Sequence, residues 1–169
     1  MFNLFKNKEK SVPKEDEFFC KVACLLIHAA KIDEIYSDEE KEIIKKTLKK
    51  ERFEVRFNTS FRAVIRACSE VKRTEQNGTW ISANMVDAYC ALFDAGHAVC
   101  AESWQNEQLV GGCYGVKIDG VFYGESMFHR VSDASKVAFV HLVHHLKNHG
   151  VEMIDCQMNT PLLSSFGAR

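Results

Sequence analysis

Two apolar runs, Leu109 to Ile118 and Val121 to Phe128, are separated only by Asp119-Gly120. A two-residue connection needs left-handed backbone at its centre, which Asp and Gly supply, and it twists the flanking segments into an antiparallel hairpin. Before it, Val99 to Trp104 reads as another strand, joined by a turn at Gln105–Asn106. A three-strand meander is therefore fixed, and the remaining elements have to pack on it.

The segments on either side supply helices and two more strands. Arg52 to Asn58 alternates, with Phe53, Val55 and Phe57 on one side and Arg52, Glu54 and Arg56 on the other, the pattern of a half-buried strand. Thr59 or Ser60 caps a helix that buries Phe61, Val64, Ile65 and Cys68; residues 70–79 form a polar loop; Ser82 caps a second helix with Val86, Tyr89, Cys90 and Phe93 on one face and Gly96 at its end. After the meander, Ser132 or Asp133 caps a helix to about His149, stopped by Gly150. Val151 to Gln157 is a strand, and Thr160-Pro161 opens a short helix. At the N-terminal end, apolar steps of three and four predict a helix from Asp16 to about Ile32, and a capping box of Ser37 and Glu40 starts a second helix to about Lys50. The expected fold class is α+β: an antiparallel-rich sheet with flanking helices, preceded by an α-helical hairpin. The order of elements resembles the GNAT acyltransferase fold, which fixes no chemistry.

Composition narrows the setting. The longest nearly apolar run, Val22 to Ala30, is far shorter than the about 20 residues that span a bilayer. The opening MFNLFKNKEK turns charged too soon for a secretory signal, so a cytoplasmic protein is expected. Seven scattered cysteines with no C-x-x-C pair read as reduced, small apolar side chains. The net charge of −1 hides a basic middle: residues 43–78 carry ten basic and four acidic side chains. That stretch is either a set of solvated faces or a contact for a polyanion.

Two carboxylates stand in unusual places. Asp155 lies between Ile154 and Cys156 in an apolar strand, where alternation puts it on one face with Gln157; it either meets a ligand or caps a loop. Glu125, after Gly124 in a strand, either binds a cation with it or faces solvent. Phe139, Leu142, Val143 and Leu146 form the apolar face of the last long helix, as core or as a pocket wall. His141 and His145 have ligand spacing, but no acidic residue sits on that turn. The segment 129–136 ahead of this helix holds no glycine, unlike the turn that cradles a pyrophosphate, which argues against acetyl-CoA as donor.

From Arg52 to Arg169 the chain resembles the bacterial leucyl/phenylalanyl-tRNA–protein transferases. The matching stretches, in order, are RFEVRFNTSF, NGTWIS, Ala95-Gly96-His97, ESW, QLVGGCYGV, GESMF, DASKVA, IDCQ and SSFGAR. The resemblance implies transfer of leucine or phenylalanine from aminoacyl-tRNA to an acceptor protein with N-terminal Arg or Lys, marking it for degradation by the N-degron route, with no cofactor and no metal. It implies Asp155 and Gln157 as the catalytic pair and Glu125 as the binder of the cationic acceptor. It also implies that Trp80 stacks on the terminal adenosine of the tRNA, and that Cys113, Phe122, Phe139, Leu142, Leu146 and Ile154 hold the Leu or Phe side chain. The basic segment would then meet tRNA phosphates. A cytoplasmic monomer without membrane contact is expected.

The chain departs from the family pattern at Cys113, where a larger apolar residue is common, and at Leu162, where a His is usual. The family's Trp-Phe-Pro-rich N-terminal stretch and the segment after Gly-Ala-Arg are expected to be missing. Residues 16–50 instead resemble helices of a TerB-like module, so the expected division is a helical fragment at 1–50 and a GNAT-like aminoacyltransferase domain at 51–169. Two other readings stay open: a protein that binds tRNA without transferring, and a stress-response interaction module in the acidic helix pair.

Overall fold

A computed structural model describes residues 29–31, 39, 42, 52–71, 80–158, 160–166 and 168. Six strands form one sheet: β1 (Ala29–Lys31), β2 (Glu54–Phe57), β3 (Ala98–Gln105), β4 (Gln108–Ile118), β5 (Val121–His129) and β6 (Met153–Asp155). Their order is β1-β6-β5-β4-β3-β2, antiparallel throughout except for the parallel pair β5–β6. Helices α1 (Phe61–Ser69) and α2 (Ala83–Asp94) cover one face and α3 (Ala134–Asn148) the other; α4 (Pro161–Ser165) follows β6. Among the described residues no helix is long and apolar enough to cross a membrane.

The expected meander is present. Asp119 is left-handed at the β4–β5 turn, as the Asp-Gly pair requires. The other turn is displaced: a register shift between Ser103 and Trp104 carries β3 one residue further, and the loop is Asn106-Glu107, both left-handed. Gly96 and Gly150 end α2 and α3 with positive φ, each followed by a residue whose N–H returns to the last turn, His97 to Leu92 O and Val151 to Leu146 O.

At Ala29–Lys31 the expected helix is a strand. β6 has only three residues, and without a neighbour its outer edge would leave backbone groups unpaired. Pairing Ala29 with Asp155 and Lys31 with Met153 satisfies that edge, and tertiary pairing overrides the local helical spacing. The rest of the expected hairpin lies outside the described residues, apart from Glu39 and Glu42, which are helical.

The core has two layers. Phe61, Val64, Ile65, Cys68, Val86, Cys90, Cys100, Tyr114 and Phe128 pack between α1, α2 and the sheet; Ala101, Cys113, Phe122, Ala138, Phe139, Leu142, Leu146 and Ile154 pack under α3. α3 presses close on the sheet at Gly111 on β4. A Cβ there would stand 2.5 Å from Ala134 Cβ and 2.7 Å from the Ala134 carbonyl carbon, which is backbone and cannot swing away. Gly111→Ala is expected to cost about 1–3 kcal/mol through overpacking, read as a lower urea midpoint. An unchanged midpoint would contradict this packing.

Candidate active site

β5 and β6 run side by side only from Val121–Met153 to Tyr123–Asp155, and then part. On the β6 side the strand ends at Asp155. The chain turns at once: the Gln157 N–H donates to Asp155 Oδ1 at 2.8 Å, and Gln157 is left-handed with φ 58°. Asp155 and Gln157 therefore do not share a strand face, as simple alternation suggests. The carboxylate closes an Asx-type turn that throws Gln157 out of the strand direction. A non-glycine residue held left-handed is strained, and such residues cluster at functional sites.

On the β5 side, Gly115 is opposite Gly124 and Tyr114 is opposite Ser126, so Glu125 is the extra residue of a bulge. Bulges re-aim a side chain. Glu125 is turned toward α2, where the Tyr89 hydroxyl lies within donating reach of its carboxylate, and the Gln157 amide lies near it as well. Burial pushes the Glu125 pKa above the usual carboxylate range; the Tyr89 and Gln157 contacts pull it down, and the Asp155 charge pushes it up again. The Tyr89 hydroxyl is itself pushed up, by burial first and then by Glu125.

Asp155 is 1% exposed. Its Oδ1 is used by the turn, but its Oδ2 has no hydrogen-bond partner among the described residues, and neither does Gln157 Nε2. A buried acceptor, Asp155 Oδ2, and a buried donor, Gln157 Nε2, which lies near the Glu125 carboxylate without a well-formed hydrogen bond to it, are left unspent. Unsatisfied groups of this kind are costly in a folded chain and ask for a ligand.

The six apolar candidates, Cys113, Phe122, Phe139, Leu142, Leu146 and Ile154, fall in one cluster, each buried. That cluster lies on the α3 face. Phe122 pairs with Ile154, whereas Asp155 pairs with Tyr123, one residue on and therefore on the opposite face. The polar group and the apolar cluster are back to back, on either side of the place where the β5–β6 pairing ends. Burial also pushes the Cys113 thiol up, so it behaves as a small apolar side chain. Trp80 is 36% exposed, two residues ahead of Ser82, whose hydroxyl accepts from Met85 N. The His145 ring stacks on Phe57 at 4.3 Å.

Two residues escaped the sequence reading. Tyr89 falls on the apolar face of its helix; its polar tip is the signal, since a buried Tyr hydroxyl usually finds a partner. Glu102 was part of a matching stretch but had no role, although a Glu between Ala101 and Ser103 inside a strand is as unusual as Asp155. It is fully buried.

A family model described as leucyl/phenylalanyl-tRNA protein transferase matches residues 37–169. A protein of that name from Chromobacterium violaceum is 54% identical over 124 residues, 73% of this chain and 53% of the relative. One from Burkholderia multivorans is 48% identical over 129 residues, 76% of this chain and 51% of the relative. The chain thus spans about half the length of the curated relatives it matches. Among solved structures, a predicted acetyltransferase with acetyl-CoA from Clostridium acetobutylicum superposes with a TM-score of 0.53 at 12% identity, covering 69% of this chain and 90% of that one. This supports the GNAT-like fold and nothing finer. With the family match running through strands β2 to β6 and both sides of the strand parting, the chain belongs to the leucyl/phenylalanyl-tRNA–protein transferase family.

Proposed function

We propose that residues 51–169 form an aminoacyltransferase unit that moves leucine or phenylalanine from aminoacyl-tRNA to the α-amino group of a protein with N-terminal Arg or Lys. The observation that carries this reading is the unspent pair at the parting of β5 and β6, Asp155 Oδ2 and Gln157 Nε2, next to Glu125.

Aminolysis of an ester needs a neutral amine, a path for its proton and a donor for the oxyanion. Asp155 Oδ2 accepts from the incoming amine and holds its lone pair toward the ester carbonyl. As the new N–C bond forms, a proton passes from nitrogen to the ribose oxygen when the ester C–O bond breaks, with the carboxylate steadying the developing charge. Gln157 Nε2 donates to the carbonyl oxygen as it gains negative charge. Glu125 draws the cationic end of the acceptor, and Tyr89 keeps that carboxylate in place. The α3-face cluster receives the Leu or Phe side chain through the gap between the strands, and Trp80 offers an exposed ring for the terminal adenosine. This transfer calls for no CoA: Asp133 stands at the α3 cap position without a side-chain capping bond, and its carboxylate already pairs with Lys136 at 2.9 Å and Arg52 at 3.6 Å, the cations a pyrophosphate would need.

The test is transfer of labelled leucine or phenylalanine from charged tRNA to a peptide with N-terminal Arg. Label is expected on the free peptide and not on its N-acetylated form. Equal labelling of both, or of neither, would contradict the reading. Electrostatic tRNA binding is expected to weaken steeply between low and moderate salt, checked by filter binding.

A further inference from the structure

The chemistry above makes no use of Glu102, a fully buried carboxylate on β3. A charge in that position is tolerated only when donors surround it, and here they do. Oε1 accepts the Thr59 N–H at 2.8 Å and the Ser60 N–H at 2.7 Å; Oε2 accepts the Thr59 hydroxyl and the Trp104 indole N–H, the latter at 2.9 Å; and the Cys100 thiol lies 3.3 Å from Oε1. Three of these donors belong to one short loop, Asn58–Ser60. Its first residue is left-handed, and Asn58 Oδ1 ties it to the Cys100 N–H at 2.8 Å.

This loop is the start of α1. Ser60 occupies the cap position, yet its side chain makes no capping bond. The Glu102 carboxylate fixes the entry of the helix instead, by holding the backbone of Thr59 and Ser60. The next residue is Phe61, whose ring stacks on Phe93 at 4.5 Å and meets Tyr114 edge-on at 5.7 Å. Tyr114 meets Tyr89 edge-on at 5.3 Å. A continuous run of packed groups therefore joins Glu102 to the ring whose hydroxyl faces Glu125. Aromatic pairs in edge-on contact have a preferred geometry, so a shift at one ring is felt at the next.

We propose that Glu102 is a positioning residue for the acceptor end of the site: by fixing the Asn58–Ser60 loop and Phe61 it sets the seat of Tyr114 and Tyr89, and so the meeting of the Tyr89 hydroxyl with the Glu125 carboxylate. Its catalytic meaning rests on the proposed role of Glu125, but the mechanical link does not.

The experiment is a carbon-13 NMR titration of the Glu125 carboxyl in the wild type, Tyr89→Phe, Glu102→Gln and the double variant. Loss of the Tyr89 contact raises the Glu125 pKa, because that contact favours the charged form. Glu102→Gln is expected to raise it too, and the double variant is expected to go no further than the larger single effect, since both act through one contact. Ser103→Ala is the control. It removes the bond from the Ser103 hydroxyl to Ala134 O on the other face of the same strand and leaves the titration at its wild-type value. If Glu102→Gln lowers the melting temperature without moving the titration, or if the two shifts add, the proposal is overturned. Should Glu102→Gln not fold, Phe61→Leu breaks the same run one link later and is read in the same way. In transfer assays Glu102→Gln is expected to raise the KM for the Arg-peptide about three- to tenfold with kcat little changed. A wild type that transfers nothing would sink the proposed function, and the titration would still decide the role of Glu102.

Discussion

Asp155→Ala is expected to lower kcat/KM for transfer about 10³-fold, and Asp155→Asn about 10²-fold, within the range that a positioned proton-handling group contributes. The difference between the two variants separates the jobs of the two carboxylate oxygens. Asparagine keeps an oxygen for the Gln157 N–H, so the left-handed turn stays closed and the Gln157 amide stays aimed. What it loses is the charge at Oδ2, the oxygen without a partner. Alanine loses the charge and opens the turn. Steady-state transfer to an Arg-peptide measures both. If Asn is as damaging as Ala, charge at Oδ2 carries the whole effect; if both run at the wild-type rate, the assignment of Asp155 is wrong. The Asn loss does not reflect unfolding, because Asn replaces an unsatisfied buried carboxylate oxygen with a neutral group and is expected to leave the melting temperature unchanged or raised.

Glu125→Gln is expected to raise the KM for an Arg-peptide at least about tenfold, the scale for losing one partner of a desolvated charge pair, and at the same time to stabilise the fold at neutral pH. The folded-state pKa of Glu125 lies above its unfolded value, chiefly through burial. The folded state therefore binds the proton more tightly. The stability that goes with it is fully present below the unfolded value and is lost as pH rises through the folded one. Once the carboxyl has ionised, the wild type holds a buried charge that Gln does not. Melting curves of the two proteins should converge toward pH 4 and separate toward pH 7, with the variant higher. The acceptor KM of the wild type should likewise begin to rise, as pH falls, earlier than for an ordinary carboxylate. Parallel melting curves at all pH values would contradict the burial of this group.

The hairpin at Asp119-Gly120 could be read from the chain because two residues of the right kind leave one geometry. Its neighbour at Asn106-Glu107 could not be placed to the residue, since Glu is an unusual left-handed residue and the irregularity between Ser103 and Trp104 moves the register without any mark in the sequence. Asp155 and Glu125 stood out as acids in apolar strands. Their directions did not: one depends on a turn closed by the acid itself, and the other on a bulge opposite Gly115. Alternation assigns faces only while a strand stays regular. The strand at Ala29–Lys31 was hidden by helical spacing because its reason lies 124 positions away, in the edge of β6. Tyr89 and Glu102 were hidden for a related reason, since their partners come from other elements.

The polar and apolar faces are expected to act on one ligand where β5 leaves β6. That is tested most directly by NMR of the whole chain with a phenylalanyl-adenosine amide, which mimics the end of the charged tRNA and does not react. Binding is expected to shift the backbone amides of Asp155 and Gln157 on one face and the side-chain signals of Phe122, Leu142 and Leu146 on the other, with a single dissociation constant. Shifts confined to one face, or two separate constants, would contradict it.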